Sequence, residues 1–175
     1  MKVNRKRLSR LPLQQKILIL LGILLLAGLS QWSRSYFASS NTLLESTPQS
    51  TIKCVDGDTF WLDGQKIRML AIDTPESTTT KEAYGKQASD YTCSALKQAK
   101  VIRLEQDKGN TVDKYDRTLA WVFVDGQLLQ TAILREGLGE VKYVDKATVN
   151  TAYLSECQSA QQDAQSKKLN LWSQD

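Results

Sequence analysis

The sequence predicts an α+β domain: an all-β core, in the form of a small and partly open β-barrel, with helices added to it. Three observations favour this fold. Short β-prone runs follow one another between residues 51 and 124, Asp-Gly pairs separate neighbouring runs, and three segments carry apolar residues at helical spacing. The 175 residues have room for one such domain and an N-terminal extension.

Five strands are predicted, at residues 51–56, 59–62, 65–72, 101–105 and 119–124. Asp63-Gly64 separates the second run from the third, and Asp125-Gly126 follows the fifth. An Asp-Gly pair between two β-prone runs is a strong hairpin signal. Thr74-Pro75 ends the third run, because a residue before proline is kept out of the helical region.

About three helices are predicted around these strands. Residues 84–99 carry apolar side chains at positions 84, 88, 91, 95, 96 and 99, which is helical spacing. A short helix at about residues 128–133 is closed by Gly137, and a last helix begins near residue 148.

The first 30 residues predict either a secretory signal peptide or an N-terminal membrane anchor. Residues 1–16 are basic and polar, and residues 17–29 carry no charge. This pattern is typical of a signal peptide, whereas a spanning helix needs about 20 apolar residues. Cleavage and anchoring both remain open, and either one predicts an exported protein: secreted, periplasmic or held at the membrane. Residues 31–50, rich in Ser, Thr and Asn, are interpreted as a linker to a domain at residues 51–175.

The net charge of +4 does not by itself indicate nucleic-acid binding. Seven of the 23 Lys and Arg residues lie in residues 1–35, which contain no acid, so 16 basic side chains face 19 acidic ones in the remainder. The chain also contains no histidine. This excludes Ser-His-Asp triads, Cys-His pairs and His-ligated metals.

The three cysteines are Cys54, Cys93 and Cys157, and their spacing matches no zinc pattern. They are interpreted either as small buried apolar residues or, in an oxidising compartment, as one disulfide and one free thiol. The sequence does not select the pair.

Two acidic clusters follow predicted strands: Asp56-Gly57-Asp58 and Asp73-Thr74-Pro75-Glu76. Carboxylates with a backbone carbonyl suit a hard cation such as Ca²⁺. Arg68 precedes the second cluster, and Arg117 lies further along the chain. Because a guanidinium group matches the geometry of a phosphate, metal, carboxylates and arginines together favour phosphoryl transfer without histidine.

Three segments carry a resemblance to a known family: CVDGDTFWLDGQKIRMLAIDTPES, DKYDRTLAWVFVDGQLLQTAILREGLGEVKYV and KKLNLWS. They resemble, in order and with matching spacing from about residue 51 to residue 173, the staphylococcal nuclease (thermonuclease) family. The resemblance implies a five-stranded OB-fold β-barrel with three helices. It also implies Ca²⁺-dependent cleavage of DNA and RNA, and we expect a monomer.

The resemblance assigns a role to each matching residue. It implies that Asp58 and Asp73 bind the metal with the backbone carbonyl of Thr74, and that Asp56 supports them. It implies that Glu76 positions or deprotonates the attacking water. The remaining assignments are two phosphate-binding arginines and three nucleotide-contacting residues: Arg68, Arg117, Lys114, Tyr115 and Tyr143.

Three positions depart from the family pattern. Asp116 stands where the family has glycine, Asp145 where it has a second tyrosine, and Glu140 where it has lysine. These changes predict weaker substrate binding. The preference between DNA and RNA and the biological role stay open, and the alternative function is a non-catalytic nucleic-acid-binding module tethered at the membrane.

Overall fold

The computed structural model describes residues 41–46, 50–78 and 80–173, so the predicted signal peptide or anchor lies outside the described residues. Seven strands lie within them: β1 (Asn41–Ser46), β2 (Ile52–Cys54), β3 (Thr59–Leu62), β4 (Gln65–Met69), β5 (Ile102–Gln106), β6 (Thr118–Val124) and β7 (Gln127–Leu128). Three α-helices accompany them: α1 (Gly85–Gln98), α2 (Leu129–Arg135) and α3 (Thr151–Ser166). No helix in these ranges is long and apolar enough to cross a membrane.

The strands form one mixed sheet in the order β1-β5-β6-β4-β3-β2, with β7 paired to β6. Only the β4–β6 pair is parallel in the described sheet. All five predicted strands are confirmed: β3 has the predicted bounds, β2 and β4 are shorter than expected, β5 is shifted by one residue and β6 begins one residue earlier. The two ends of the path, β1 and β2, are not paired with each other among the described residues. The described sheet is therefore open, and closure into the predicted five-stranded barrel is not seen.

Two strands were not predicted. β1 lies inside the segment whose composition predicted a linker, yet it pairs with β5 from Asn41 opposite Gln106 to Ser46 opposite Ile102. β7 has only two residues and pairs with the end of β6. β1 owes its conformation to pairing with the distant strand β5, which local composition does not reveal. β7 pairs with Phe123 and Val124 directly across the Asp125-Gly126 turn, and its two residues are too few to carry a strand pattern of their own.

The turn between β3 and β4 is formed by Asp63 and Gly64, as predicted. Their φ angles are 49° and 83°, which is the pair of positive values that a two-residue type I′ hairpin turn requires. The turn fixes the register, so Thr59 lies opposite Arg68 and Trp61 lies opposite Lys66.

The β3–β4 hairpin has two chemically different faces. Phe60, Leu62 and Ile67 are fully buried in the core. Because successive side chains on a strand point to opposite faces, the other face carries Thr59, Trp61, Lys66 and Arg68. The candidate site described below lies on this second face.

Helix α1 is joined to β2 by a disulfide between Cys54 and Cys93, the pair that the sequence left open. On the same helix, the Thr92 hydroxyl donates a hydrogen bond to the Gly57 carbonyl at 2.6 Å. A Cβ on Gly57 would come within 2.8 Å of the Ala88 Cβ. The helix therefore packs directly against the loop that carries the first acidic cluster.

Helix α3 is capped at its N-terminus by Asn150, whose side chain accepts hydrogen bonds from the backbone N–H groups of Ala152 and Tyr153. The third cysteine, Cys157, lies on this helix and is buried with a free thiol. Burial raises the pKa of the Cys157 thiol to about 12, which keeps it protonated and unreactive.

Candidate active site

The predicted site residues meet in one cleft of about 810 Å³ on the outer side of β3, β4 and β6. Loops after β2 and β4, the β5–β6 connection and the segment before α3 form its walls. Nine predicted residues line the cleft: Asp56, Asp58, Arg68, Asp73, Glu76, Lys114, Tyr115, Arg117 and Tyr143. The tenth, Thr74, does not line the cleft, but its backbone N–H donates a hydrogen bond to Asp58.

Asp58 is a buried carboxylate held by three partners. Its Oδ1 accepts a hydrogen bond from the Thr59 hydroxyl at 2.9 Å. Its Oδ2 accepts one from the Thr74 backbone N–H at 2.9 Å and lies 3.3 Å from Arg68 Nη1. The carboxylate is therefore fixed in orientation, with its charge balanced by one guanidinium group.

Arg68 links the two acidic clusters. Its Nη1 donates to the carbonyls of Met69, at 3.0 Å, and Ile72, at 2.7 Å, and its Nη2 donates to Asp73 Oδ1 at 3.2 Å. Only 7% of Arg68 is exposed. Buried carbonyls and carboxylates thus hold the guanidinium in one place, between Asp58 and Asp73.

Asp73 has a second cationic partner that the sequence did not predict. Lys142 Nζ lies 3.1 Å from Asp73 Oδ2 and 2.8 Å from Glu140 Oε1. Asp73 and Glu140 also form a two-residue antiparallel bridge through their backbones. The sequence carried no signal for the contact between Lys142 and Asp73, because this contact depends on a backbone bridge between Asp73 and Glu140, which are 67 residues apart.

The oxygen atoms of Asp58 and Asp73 are of the kind that a hard divalent cation takes as ligands. Ca²⁺ takes about six to eight oxygen ligands, and these two carboxylates offer oxygens on either side of Arg68. The buried Thr74 hydroxyl has no hydrogen-bond partner among the described residues. No group of three or more His, Cys, Asp or Glu is placed to hold a metal in the described ranges. The Thr74 carbonyl, water and a phosphate oxygen would have to complete the coordination.

Asp56 supports the loop that carries Glu76. Its Oδ1 accepts hydrogen bonds from the Ser77 hydroxyl at 2.8 Å and the Ser77 backbone N–H at 3.1 Å. Asp56 is only 9% exposed. It therefore ties the end of the second acidic cluster to the start of the first.

Glu76 stands at the open side of the cleft, among other carboxylates. Desolvation by nearby protein atoms, followed by the charges of Asp56 and Asp58, raises the pKa of Glu76 above its usual value. Its backbone N–H donates to Glu82 Oε2 at 2.9 Å. A Cβ on Gly85, the first residue of α1, would lie 2.2 Å from the Glu76 carbonyl oxygen. Only glycine allows α1 to begin so close to this residue.

Arg117 is held by Asp113, four residues earlier. Asp113 Oδ2 accepts from Arg117 Nε at 2.7 Å, and its Oδ1 accepts from the Arg117 backbone N–H at 3.0 Å. Hydrogen bonds from Arg117 and from the Tyr115 backbone outweigh desolvation and lower the pKa of Asp113. The sequence contained this signal, in the acid–base pair of the DKYDR segment, but did not indicate which partner Asp113 would take.

The intervening residues form a tight turn. Asp116 has a φ of 60°, a conformation that glycine adopts freely and aspartate tolerates. Its backbone N–H donates to the Asp113 carbonyl at 3.1 Å. A glycine, which the resemblance implies for this position, would adopt this conformation without strain, and the exposed Asp116 adopts it here.

Two aromatic rings stand at the rim of the cleft. Tyr115 and Tyr143 are 67% and 68% exposed. The Arg117 guanidinium lies 5.4 Å from the centre of the Tyr115 ring, and the Arg68 guanidinium lies 5.7 Å from that of Tyr143. Exposed rings beside arginine side chains offer a surface on which a base could stack.

Asp145 has a local structural role that its sequence did not reveal. It accepts hydrogen bonds from the Ala147 backbone N–H at 3.0 Å and from the Thr148 hydroxyl at 2.9 Å. These contacts lower the pKa of Asp145. The residue lines the cleft but also closes the turn that leads into α3.

The chain resembles known nucleases over most of its described length. The family model described as "Staphylococcal nuclease homologue" matches residues 66–174. A thermonuclease of Staphylococcus hyicus is 39% identical over 129 residues, which is 70% of this chain and 73% of that protein.

Two proteins of Bacillus subtilis (strain 168) also match. The SPbeta prophage-derived endonuclease YokF and the endonuclease YncB are each 39% identical over 128 residues, or 69% of this chain. The matches span only 42% and 59% of the length of these two relatives.

Proposed function

Because the chain belongs to the staphylococcal nuclease family, we propose that it is a calcium-dependent endonuclease that hydrolyses phosphodiester bonds of DNA and RNA. One observation carries the proposal. The cleft brings together two arginines and three carboxylates from distant segments: Asp58, Arg68, Asp73, Glu76 and Arg117. This set is suited to phosphoryl transfer in a chain that contains no histidine.

In this proposal, Asp58, Asp73 and the backbone carbonyl of Thr74 hold the Ca²⁺. When bound, the ion neutralises charge on the scissile phosphate and polarises water. Asp56 holds the two loops together, because its Oδ1 accepts a hydrogen bond from the Ser77 hydroxyl at 2.8 Å.

Arg68 and Arg117 bind the phosphoryl oxygens. A guanidinium group donates paired hydrogen bonds that strengthen as negative charge develops in the transition state. Both groups are already oriented before substrate arrives, Arg68 by two backbone carbonyls and Arg117 by Asp113. This preorganisation reduces the reorganisation that each turnover would otherwise require.

Glu76 orients the attacking water or accepts its proton. It stands at the open side of the cleft, where its carboxylate can reach solvent. Its loop is held by two hydrogen bonds, from the Glu76 backbone N–H to Glu82 and from the Ser77 backbone N–H to Asp56. Its raised pKa makes it a better proton acceptor than an ordinary glutamate.

Lys114, Tyr115 and Tyr143 bind the nucleotide beside the scissile bond. Lys114 Nζ lies 5.0 Å from the centre of the Tyr115 ring, so a cation and a stacking surface are adjacent. This arrangement suits a phosphate followed by its base.

A metal-switch assay tests the proposal. The purified full chain is incubated with single-stranded DNA, double-stranded DNA and RNA, in Ca²⁺, in Mg²⁺ and in excess EGTA. We expect cleavage in Ca²⁺ and none in EGTA, with recovery when Ca²⁺ is restored. Full activity in the chelator would reject the calcium mechanism, and binding without cleavage in Ca²⁺ would favour a non-catalytic binding module.

The proposal extends to fold and location. The five central strands and the family membership support a closed OB-fold barrel. The disulfide between Cys54 and Cys93 supports export, since such bonds persist in oxidising compartments. A reporter that works only outside the cytoplasm, fused after residue 50, is expected to be active. A silent fusion produced at normal levels would reject export.

A further inference from the structure

We propose that a second binding surface for single-stranded nucleic acid extends from the cleft across β4, β3 and β2. It consists of Lys66, Trp61 and Lys53, called here the Lys-Trp-Lys surface. Its occupant is the single-stranded part of the substrate beyond the scissile phosphate. The inference rests on the proposed nuclease function, because it names where the rest of the same substrate lies.

The strand register places these three side chains in one row. Trp61 is the partner of Lys66 across β3 and β4 and of Lys53 across β2 and β3. Directly opposed residues on antiparallel strands carry their side chains on the same face, about 4.5–5.5 Å apart at Cβ. The alternate residues of the hairpin, Phe60 and Ile67, are fully buried. The row therefore lies on the face opposite the core.

The surface is continuous with the cleft. Lys66 lines the cleft together with Thr59 and Arg68. Lys66 and Arg68 are two residues apart on β4, which corresponds to about 6.7 Å along a strand. A strand of nucleic acid whose phosphate contacts Arg68 would therefore meet Lys66 next, followed by Trp61.

The chemistry of the row matches a single strand. Lys66 Nζ lies 5.8 Å from the centre of the Trp61 ring. Trp61 is only partly buried, and among the described residues it is not part of the hydrophobic core. An aromatic face stacks on any unpaired base, and flanking lysines contact phosphates without reading sequence. Bases in a duplex are already stacked on each other, so the ring favours a single strand.

The acidic residue nearest to Trp61 along the chain is Asp63, at the hairpin turn. Asp63 Oδ1 accepts a hydrogen bond from the Thr51 backbone N–H at 2.7 Å. This contact holds the carboxylate at the end of the hairpin, beyond Trp61 and away from the cleft. On the two neighbouring strands, the residues directly opposite Trp61 are both lysines.

Binding is measured on the full chain in EGTA, by fluorescence anisotropy of a labelled 20-nucleotide single strand. Trp61→Leu is expected to raise Kd by about tenfold, which corresponds to about 1.4 kcal/mol. Trp61→Phe, which keeps an aromatic face, is expected to retain most of the affinity. Lys53→Gln should weaken binding and reduce the salt slope by about 0.7. Lys97→Gln, the same charge change on exposed α1, serves as the matched control and should alter neither.

Cleavage supplies the second readout. In Ca²⁺, Trp61→Leu should raise KM for the 20-nucleotide strand and leave kcat unchanged, with no change for a dinucleotide that occupies only the cleft. Equal Kd for wild type and Trp61→Leu, or the same loss of binding in Lys97→Gln, would overturn the surface. If wild type cleaves nothing but Trp61→Leu still weakens binding, the surface stands and the nuclease function fails.

Discussion

At the scale of single residues, the cleft concentrates carboxylates beyond what its own cations balance. Six acidic side chains line it: Asp56, Asp58, Asp73, Glu76, Asp113 and Asp145. Four basic ones face them: Lys66, Arg68, Lys114 and Arg117. A phosphate would meet net repulsion in such a site, and a divalent cation would reverse the balance. The charge distribution is thus in keeping with the proposed metal-assisted mechanism.

Glu76→Gln should separate activity from stability. The amide keeps the shape of the side chain but accepts no proton, so we expect kcat to fall by about 10²-fold or more. Because desolvation, followed by the charges of Asp56 and Asp58, disfavours the ionised carboxylate, its removal should leave Tm unchanged or raise it. Steady-state kinetics and thermal unfolding provide the two measurements.

The matched control is Asp90→Asn, an equivalent change on exposed α1, where Asp90 pairs with Lys86. It should leave kcat unchanged. Equal kcat for Glu76→Gln and wild type would remove Glu76 from the mechanism, and a large drop in Tm would show that its role is structural.

Lys142 and Glu140 should change Ca²⁺ affinity in opposite directions. Lys142 Nζ lies 3.1 Å from Asp73 Oδ2, where a bound cation would have to compete with it. Lys142→Met should therefore tighten Ca²⁺ binding by roughly three- to tenfold. Glu140→Gln removes a nearby negative charge and should weaken binding. Isothermal calorimetry without substrate measures both.

Lys146→Met, an exposed lysine on the same segment, controls for the loss of one positive charge. It should change Ca²⁺ affinity much less than Lys142→Met does. The same tightening in both variants would assign the effect to overall charge, and weaker binding in Lys142→Met would mean that the ammonium group supports Asp73.

The residues that the sequence did not predict share a physical cause. Lys142 reaches Asp73 only because a backbone bridge brings two distant segments together. Asp145 acts on the turn after it, whose geometry no pattern specified. The family resemblance implied chemical roles for ten residues, and all of these except Thr74 line one cleft. Residues that position them depend on tertiary contacts, so local sequence did not reveal them.

At the scale of elements, those with a strong local signal in the sequence were predicted correctly. Elements that form only through pairing with other strands were missed. The Asp63-Gly64 turn requires two positive φ angles, which this dipeptide favours, and the hairpin is confirmed. The periodic segment at residues 84–99 is α1, Gly85–Gln98. β1 lacked any such signal, because its polar composition fits a linker equally well. Its pairing with β5 is what makes this segment a strand.

The disulfide should stabilise the domain and, with it, the first acidic loop. Cys54 and Cys93 are 39 residues apart, and closing a loop of this size typically contributes about 2–4 kcal/mol. The Cys54→Ala/Cys93→Ala variant should lose this amount and bind Ca²⁺ more weakly, because α1 would hold Gly57 less firmly. Denaturant unfolding and calorimetry measure the two effects.

Reduction of the wild type supplies an independent comparison. Reductant should lower the stability of wild type to that of the double variant and leave the double variant unchanged. Equal stability in oxidised and reduced wild type would show that α1 is held by its packing alone. In that case Thr92, which donates to the Gly57 carbonyl at 2.6 Å, would be the residue that positions the loop.

At the scale of the whole molecule, the folded unit begins earlier than composition predicted. The predicted domain starts at residue 51, but β1 (Asn41–Ser46) pairs with β5 along its length. A fragment of residues 51–175 would leave β5 as an open edge with unpaired backbone groups, which promotes association between copies. A fragment of residues 38–175 keeps that edge covered. The boundary of the stable unit thus depends on a strand rather than on a change in composition.

We therefore expect fragment 51–175 to have a Tm lower by about 5 °C or more than fragment 38–175, and to associate at high concentration. The site lies on β3, β4 and β6, none of which pairs with β1, so residual Ca²⁺ binding should survive below the lowered Tm. Thermal unfolding and sedimentation velocity of both fragments give the measurement. A third fragment, residues 38–175 with Leu44→Pro, tests the strand itself, since proline fixes φ and is disfavoured within a paired strand. If all three fragments unfold at the same temperature and stay monomeric, β1 adds nothing to the domain and the boundary lies at residue 51 after all.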